Sequence, residues 1–209
     1  MSSLLTFAVP EEAGPFRKLK VSGPRVLVTG MGPEVARAVV ARELDRESPE
    51  LVVTAGFCGG LDPELRRGEV LVDSGATESL RARAEAIGIK PVAFHCAETV
   101  AVKATEKQQI RERTNCDAVE MESGVIVELC RERDIPVVTI RVISDEAGED
   151  LPLDFNRLGN GKGGIHFGKL AIAIARHPGK IGKLMKLQKN AKFAAQELAG
   201  KLKEFFAED

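Results

Sequence analysis

Four short segments carry residue types that bind small molecules, and each lies at a predicted strand. They are the glycine-rich residues 54–61 (TAGFCGGL), residues 119–123 (VEMES), residues 141–145 (RVISD) and residues 10–12 (PEE). Glycine lets the backbone approach a ligand closely, and ligands of open α/β sheets bind at the carboxyl ends of strands. The four segments therefore predict a ligand site at one rim of a sheet, with carboxylates delivered to it.

Each segment also has an interpretation without a ligand. Glycines suit a tight turn, and acidic residues in the first turn of a helix are favoured by the helix dipole. One carboxylate is enough for a cap, whereas residues 119–123 supply both Glu120 and Glu122, so a binding role is favoured there. Gly30 and Gly32 begin a GxG pattern, but Val35 stands where a dinucleotide fingerprint needs its third glycine, so we do not expect that motif.

Apolar runs alternate with helical patterns through the first two thirds of the chain, which is typical of a mostly parallel sheet with crossover helices. We expect strands at residues 4–9, 25–29, 51–55, 69–72, 91–95 and 137–143, and helices at residues 34–44 and 121–130. The glycine-rich residues 145–164 predict a loop. Beyond it we expect a helix at residues 167–175, a break at residues 177–179, and an amphipathic helix or helix pair to about Phe206.

Composition excludes several classes of protein. A chain of 209 residues with 44% hydrophobic and 29% charged residues is typical of one globular domain, not of a disordered or fibrous protein. No apolar run reaches the roughly 18 residues of a spanning helix, and residues 4–9 are too short for a signal peptide, so a cytoplasmic protein is expected. A net charge of −1 and the absence of Trp and Tyr argue against nucleic-acid binding.

Cysteines, histidines and the basic tail are assigned structural roles. Cys58, Cys96, Cys116 and Cys130 have no metal-ligand spacing, so we expect core thiols and no metal site. The three histidines have no partners at useful spacing. The lysine-rich residues 162–209 are expected to form a solvated helix face, so no stable membrane association is predicted.

Taken together, the motifs resemble the purine/uridine phosphorylase superfamily, in particular its nucleosidase branch, which includes methylthioadenosine/S-adenosylhomocysteine nucleosidases. The resemblance rests on residues 54–72 (TAGFCGGLDPELRRGEVLV), residues 118–147 (AVEMESGVIVELCRERDIPVVTIRVISDEA) and the GMG of residues 30–32. The tail from Leu151 resembles the hopanoid-associated phosphorylase/nucleosidase branch. The resemblance implies one domain over residues 1–209, a three-layer α/β sandwich with a mixed, mostly parallel twisted sheet flanked by helices.

The resemblance also implies a role for each matching residue. Glu122 matches a glutamate that binds the ribose hydroxyls, and Met121 a methionine that packs on the sugar. Asp145, with Ser144 beside it, matches the acid that protonates the purine at N7, and Glu12 matches the glutamate that activates water. The further substrate-binding positions that we expect are Ala55, Gly56, Phe57, Val100 and Val102.

The chemistry of N-glycosidic cleavage agrees with those roles. The bond breaks through an oxocarbenium-like sugar, so an acid must serve the base and a carboxylate must serve the water. Apolar neighbours are expected to raise the pKa of Asp145, while Glu12 stays ionised. The expected function is hydrolysis of a purine nucleoside or a 5′-modified adenosine derivative, without a cofactor.

Two alternatives stay open, a phosphorylase and a catalytically silent nucleoside-binding protein. A phosphate site needs a cluster of cationic donors, whereas Thr54 stands where some phosphorylases have arginine, and Arg17 offers one guanidinium, so water is favoured over phosphate. Phe57 departs from the small polar residue of many relatives, and residues 73–90 are short where relatives have a longer insertion. The expected partners are the nucleoside, water or phosphate, and a second copy of the chain in a homodimer.

Overall fold

The chain forms a mixed sheet with helices on both faces. The computed structural model describes residues 2–157, 179 and 181–207. The strands are β1 (Ser3–Phe7), β2 (Pro24–Val28), β3 (Leu51–Gly60), β4 (Val70–Asp73), β5 (Lys90–Val92), β6 (Phe94–Cys96), β7 (Ala118–Glu120) and β8 (Val137–Asp145). The helices are α1 (Pro10–Lys18), α2 (Pro33–Arg46), α3 (Glu78–Ala86), α4 (Ala104–Thr114), α5 (Ser123–Arg131) and α6 (Ile181–Phe206), with a short 3-10 turn at Phe155–Arg157.

The strand order places the parallel strands β1, β3 and β8 side by side, so their carboxyl ends lie at the same edge of the sheet. The main sheet runs β2-β1-β3-β8-β4-β5, and its first four strands, β2, β1, β3 and β8, are parallel to one another. Strand β4 is antiparallel to β8, and β7 pairs antiparallel with the last residues of β3 and parallel with β6. The predicted mixed, mostly parallel sheet is therefore confirmed.

Alternate residues of the central strands face opposite helix layers, as the two-residue period of a strand requires. Leu5 and Val53 pack on one side with Phe16 of α1 and with Leu198 of α6. On the other side, Leu4 and Val52 pack with residues of α2 and α5, which are Val40, Leu44, Ile126 and Leu129. The sheet thus lies between two helical layers, which confirms the predicted three-layer α/β sandwich.

The glycine-rich residues 54–61 are not the turn that the sequence suggested. Strand β3 continues through them to Gly60, because β8 pairs with it on one side and β7 with its last residues. The predicted strand 91–95 is likewise divided into β5 and β6, which pair with different strands. Helices α1, α3 and α4 were not predicted, since polar and charged residues dominate them and each buries too few side chains to show a clear apolar stripe.

The C-terminal helix α6 is one continuous helix in which only part is buried. Ala194, Leu198, Leu202 and Phe205 are buried on the predicted apolar stripe. The lysines of its first half, Lys183, Lys186, Lys189 and Lys192, are exposed. The predicted helix 167–175, residues 158–164 of the predicted loop, His166 and His177 lie outside the described residues. Within residues 2–157 and 181–207, no helix is long and apolar enough to cross a membrane.

The cysteines are all free thiols, but they are not all in the core. Cys58 and Cys130 are buried and Cys116 is partly buried, as expected, whereas Cys96 is exposed. Cys96 lies on β6, a short strand away from the main row of the sheet, so the core prediction was wrong for this residue. Among the described residues, no group of three or more His, Cys, Asp or Glu side chains is arranged to hold a metal ion.

Candidate active site

A cavity of about 190 Å³ opens where β1, β3, β7 and β8 end. Seven of the predicted site residues line it, namely Glu12, Phe57, Val100, Met121, Glu122, Ser144 and Asp145. Ala55, Gly56 and Val102 are not part of its lining, and Ala55 is fully buried in the core. The lining also includes residues that were not among the predicted binding positions, namely Ala8, Val9, Met31, Cys58, Thr99, Glu120 and Leu151.

Glu12 is fixed by the backbone around it. Its Oε2 accepts hydrogen bonds from the N–H groups of Ala8 (2.9 Å) and Val9 (3.0 Å), at the start of α1. Its Oε1 accepts from the N–H of Phe57 (2.7 Å), on β3. Burial raises the pKa of Glu12 to about 7, although the Phe57 hydrogen bond and the charge of Arg141 oppose the rise. Glu12 therefore changes its charge near neutral pH, which corrects the prediction that it stays ionised.

A buried ion pair lies beneath Glu12. Arg141 of β8 is 1% exposed, and its Nη2 donates to Glu120 Oε2 (2.6 Å) and to Thr54 Oγ1 (3.4 Å). Glu120 also accepts hydrogen bonds from Ser123 and from the N–H of Glu122. Burial alone would raise the pKa of Glu120, but Arg141 and Ser123 outweigh it and hold this pKa below its ordinary value. Glu120 is thus a buried carboxylate that pairs with Arg141 at the wall of the cavity.

Glu122 precedes α5 and faces the start of α2. Its Oε1 accepts a hydrogen bond from the N–H of Gly32 (2.9 Å), whose φ of +93° is a conformation that favours glycine. Burial raises the pKa of Glu122, against the opposing charge of Arg141. The GMG residues 30–32 therefore serve the site in two ways, because Gly32 holds Glu122 and Met31 lines the cavity.

Gly56 gives space to side chains and not to a ligand. A Cβ atom there would lie 2.5 Å from Arg141 Nη1 and 2.8 Å from Glu12 Oε1. The predicted close approach of the Gly56 backbone is real, but it is an approach to Glu12 and Arg141.

We expect Gly56→Ala to lower the free energy of unfolding by about 1–3 kcal/mol, because the added methyl group overpacks a buried ion cluster. Denaturant unfolding measures this loss. Gly14→Ala is the matched control, since a Cβ at Gly14 of α1 meets nothing within 4 Å. Equal stability of the Gly56→Ala and Gly14→Ala variants would contradict the packing argument.

Asp145 lies in a polar environment, contrary to the apolar one that was predicted. Its Oδ2 accepts a hydrogen bond from the ammonium of Lys107, and its Oδ1 lies 2.7 Å from Ser144 Oγ. Ser144 Oγ is also 3.2 Å from the carbonyl oxygen of Cys58. The end of β8 thus presents a carboxyl group with a cation on one side and a hydroxyl group on the other.

Glu122 and strand β8, which carries Asp145, lie within a segment that matches a known family. A sequence model of the phosphorylase superfamily matches residues 72–176, which is half of the chain. The chain belongs to the phosphorylase superfamily. The match ends among residues that the structure does not describe. Glu12 precedes the match, so its assignment to the site rests on geometry.

Relatives within the superfamily are named as nucleosidases. The chain is 26% identical over 192 residues to a 5′-methylthioadenosine/S-adenosylhomocysteine nucleosidase of Shewanella sediminis, covering 74% of this chain and 83% of that protein. It is 28% identical over 177 residues to the enzyme of that name from Tolumonas auensis, covering 67% and 76%.

Solved structures show the same fold. Futalosine hydrolase of Helicobacter pylori superposes with a TM-score of 0.76 at 16% identity, covering 100% of this chain and 98% of that one. The 5′-methylthioadenosine/S-adenosylhomocysteine nucleosidase of the same organism gives a TM-score of 0.77 at 17% identity, covering 100% and 99%. The described residues of the chain therefore share the fold of these two solved structures.

Three charged residues of the site were not assigned a role from the sequence. Arg141 could have been found, since an arginine inside an otherwise apolar strand must be paired when it is buried. Glu120 was noted only as one of two acidic neighbours of Met121. Lys107 gave no signal, because it lies in a segment where most residues are polar.

Proposed function

We propose that this superfamily member is a nucleosidase, which hydrolyses the N-glycosidic bond of a purine nucleoside or a 5′-modified adenosine derivative. The observation that carries the proposal is a buried cluster of three carboxyl groups and one guanidinium on one side of the cavity, with Asp145 also on its wall. The names of the relatives support the substrate class. In this proposal residues 1–209 act as one catalytic domain.

The cluster is suited to a sugar that becomes positively charged. Glu12, Glu120 and Glu122 share the single guanidinium of Arg141, so two negative charges are unbalanced when all three carboxyl groups are ionised. An oxocarbenium-like sugar gains positive charge in the transition state and not before it. Fixed negative groups in a buried site therefore stabilise the transition state more than the bound substrate.

Each carboxyl group has a separate task in this proposal. Glu122 accepts hydrogen bonds from the ribose hydroxyls, Met121 packs on the sugar, and Glu12 takes a proton from the attacking water. The pKa of Glu12, raised to about 7, suits a general base that works near neutral pH. Asp145 and Ser144 face the base and deliver the proton that it needs in order to leave.

Water is a better nucleophile for this cavity than phosphate. None of the described residues that line the cavity is a lysine or an arginine, and Arg141 is already paired with Glu120. Arg17, which was considered as a phosphate ligand, is exposed in the last turn of α1. A phosphate dianion would instead face Glu12 and Glu122, which is unfavourable.

Release of free base tests the proposal. The protein is incubated with adenosine, inosine, 5′-methylthioadenosine and S-adenosylhomocysteine, each with and without phosphate. We expect free base from at least one of them at a rate that does not depend on phosphate, with free ribose or its 5′-modified form as the second product. Binding without base release would favour a silent binding protein, and a sugar 1-phosphate product would favour a phosphorylase.

We expect Glu122→Gln to reduce kcat/KM for the preferred ribonucleoside by roughly 10- to 100-fold, because charged hydrogen bonds to the ribose are worth about 1.5–3 kcal/mol. The wild type should discriminate against the matching 2′-deoxyribonucleoside, and the variant should lose that discrimination. Glu128→Gln, on the exposed side of α5, is the control. Equal turnover of ribosides and 2′-deoxyribosides by the wild type would contradict the role of Glu122.

The homodimer and the cytoplasmic location expected from the sequence stay predictions, and size-exclusion chromatography with light scattering measures the first.

A further inference from the structure

Lys107 is the only buried residue of α4, and the other residues of this helix are exposed or partly exposed. Its relative exposure is 0%, so even the ammonium group is removed from water. An unpaired charge in such a place is strongly unfavourable. The groups that contact the Lys107 ammonium must therefore compensate for its removal from water.

The ammonium of Lys107 has one acceptor for each of its three protons. These are the carboxyl Oδ2 of Asp145, the carbonyl oxygen of Glu146 (2.8 Å) and the carbonyl oxygen of Glu149 (3.2 Å). Of the three, only Asp145 is ionisable. The arrangement therefore couples a buried cation directly to the carboxyl group that faces the cavity.

We propose that Lys107 supplies, through Asp145, the proton that the departing base takes up. The inference rests on the proposed function, and it makes Lys107 a positioning residue that acts through Asp145. The ion pair implies that Asp145 is a carboxylate before reaction, so the proton for the base must come from a group that still carries one. Lys107 is in direct contact with Asp145 and carries such a proton.

The proton transfers balance. As the glycosidic C–N bond breaks, its electron pair moves into the base, and an N–H bond forms on the base with a proton from the Asp145 carboxyl group. The Lys107 Nζ–H bond breaks first, and its proton converts the Asp145 carboxylate into the carboxyl group that donates to the base. After that transfer Asp145 is again a carboxylate and Lys107 is a neutral amine. Glu12 accepts the proton of the attacking water. After product release, Glu12 gives up its proton to solvent and Lys107 regains one.

Ser144 is placed to accommodate both protonation states of Asp145. When Asp145 is a carboxylate, the Ser144 hydroxyl can donate to its Oδ1 at 2.7 Å. When Asp145 carries the proton, the same hydroxyl can donate to the carbonyl oxygen of Cys58 at 3.2 Å and accept from Asp145. The Ser144 hydroxyl therefore has a hydrogen-bond partner in either protonation state of Asp145.

A purely structural role for Lys107 predicts a different outcome in one experiment. Adenosine is compared with 7-methyladenosine, or the 5′-methylthio forms of both if the wild type prefers them. The N7-methylated base leaves as a neutral molecule without protonation. We expect Lys107→Met to lower kcat for the parent nucleoside by about 10²–10⁴-fold, as loss of an acid does. For the N7-methylated nucleoside we expect Lys107→Met to lower kcat by less than about tenfold, which is the size of a modest structural disturbance.

Two further variants complete the test. Lys107→Arg keeps a cation next to Asp145, but the guanidinium cannot give up its proton. This variant should therefore be as slow as Lys107→Met on the parent nucleoside. It replaces Lys107→Met in the test if that variant does not fold. Adding Asp145→Asn to Lys107→Met should cause little further loss, because the two residues act as one unit. Lys103→Met is the matched control, since Lys103 forms an exposed ion pair with Asp150 at the start of the same helix.

The outcomes separate this inference from the proposed function. Equal losses on parent and N7-methylated nucleosides, or full activity of Lys107→Arg on the parent, would overturn the role of Lys107 and leave the nucleosidase intact. A wild type that releases base from neither nucleoside would overturn the proposed function and this inference with it.

Discussion

We expect Asp145→Asn to lower the turnover of purine nucleosides by about 10²–10⁴-fold, because without a proton from this residue the base must leave as an anion. The asparagine keeps the shape of the side chain and can still donate a hydrogen bond. An uncleaved nucleoside analogue should therefore bind within about tenfold of its wild-type affinity, or about 1.4 kcal/mol. Base release and analogue affinity are measured in parallel on the same preparation.

The control for this variant is Asp150→Asn, five residues further along the chain. Asp150 is exposed and its carboxylate accepts from Lys103 and from the N–H of Ala104, so its loss should leave turnover unchanged. Near-normal base release by Asp145→Asn would refute the proposed acid. Because Asp145→Asn removes the charged partner of buried Lys107, a lowered unfolding temperature is expected in either case. Analogue affinity is therefore measured on folded protein, and a loss well beyond tenfold would assign Asp145 to substrate binding instead.

Wild-type kcat/KM should rise about tenfold per pH unit below pH 7 and then level off, because Glu12 must be ionised to accept a proton from water. Burial raises the pKa of Glu12 to about 7, so the residue is protonated in the free enzyme below that pH and ionised above it. Glu12→Gln should lower kcat by about 10²–10⁴-fold at pH 8 and remove this acidic limb from any residual activity. A pH series of base release measures both.

The neighbouring Glu11 provides the control, since it lies in the same helical turn but is exposed. Glu11→Gln should keep both the rate and the shape of the pH profile. If wild-type kcat/KM stayed level down to pH 5, Glu12 would not be the group that activates water.

The sequence allowed the layers of the fold to be predicted because the strands and two of the helices carry clear periodicities. Leu4 and Val52 face one helical layer, and their neighbours Leu5 and Val53 face the other. Such runs of consecutive apolar residues predict strands that are buried on both faces. The short polar helices were not predicted because they carry no clear apolar stripe. In α4, for example, Lys107 is the buried residue, and apolar packing is limited to the half-buried Ile110. The position of α4 depends on groups distant in sequence.

Seven of the residues that line the cavity were predicted from the motifs, but their electrostatics could not be. Burial of Glu12 results from the packing of α1 against β3, forty-five residues away, and this burial raises its pKa. Asp145 was expected to have apolar neighbours because residues 137–143 are apolar, yet its partner Lys107 comes from another element. The surroundings of a side chain depend on elements distant in sequence, so the apolar neighbours predicted for Asp145 from its own strand were wrong.

The buried Arg141–Glu120 pair restricts how this chain can change during evolution. Removing Arg141 alone would leave three buried carboxyl groups without their cation, and removing Glu120 alone would leave a buried arginine without its closest partner. Replacing the whole cluster by apolar side chains of similar volume would instead be neutral or favourable for the fold. A lineage that no longer needed the chemistry would therefore be expected to lose these charges together and not one at a time.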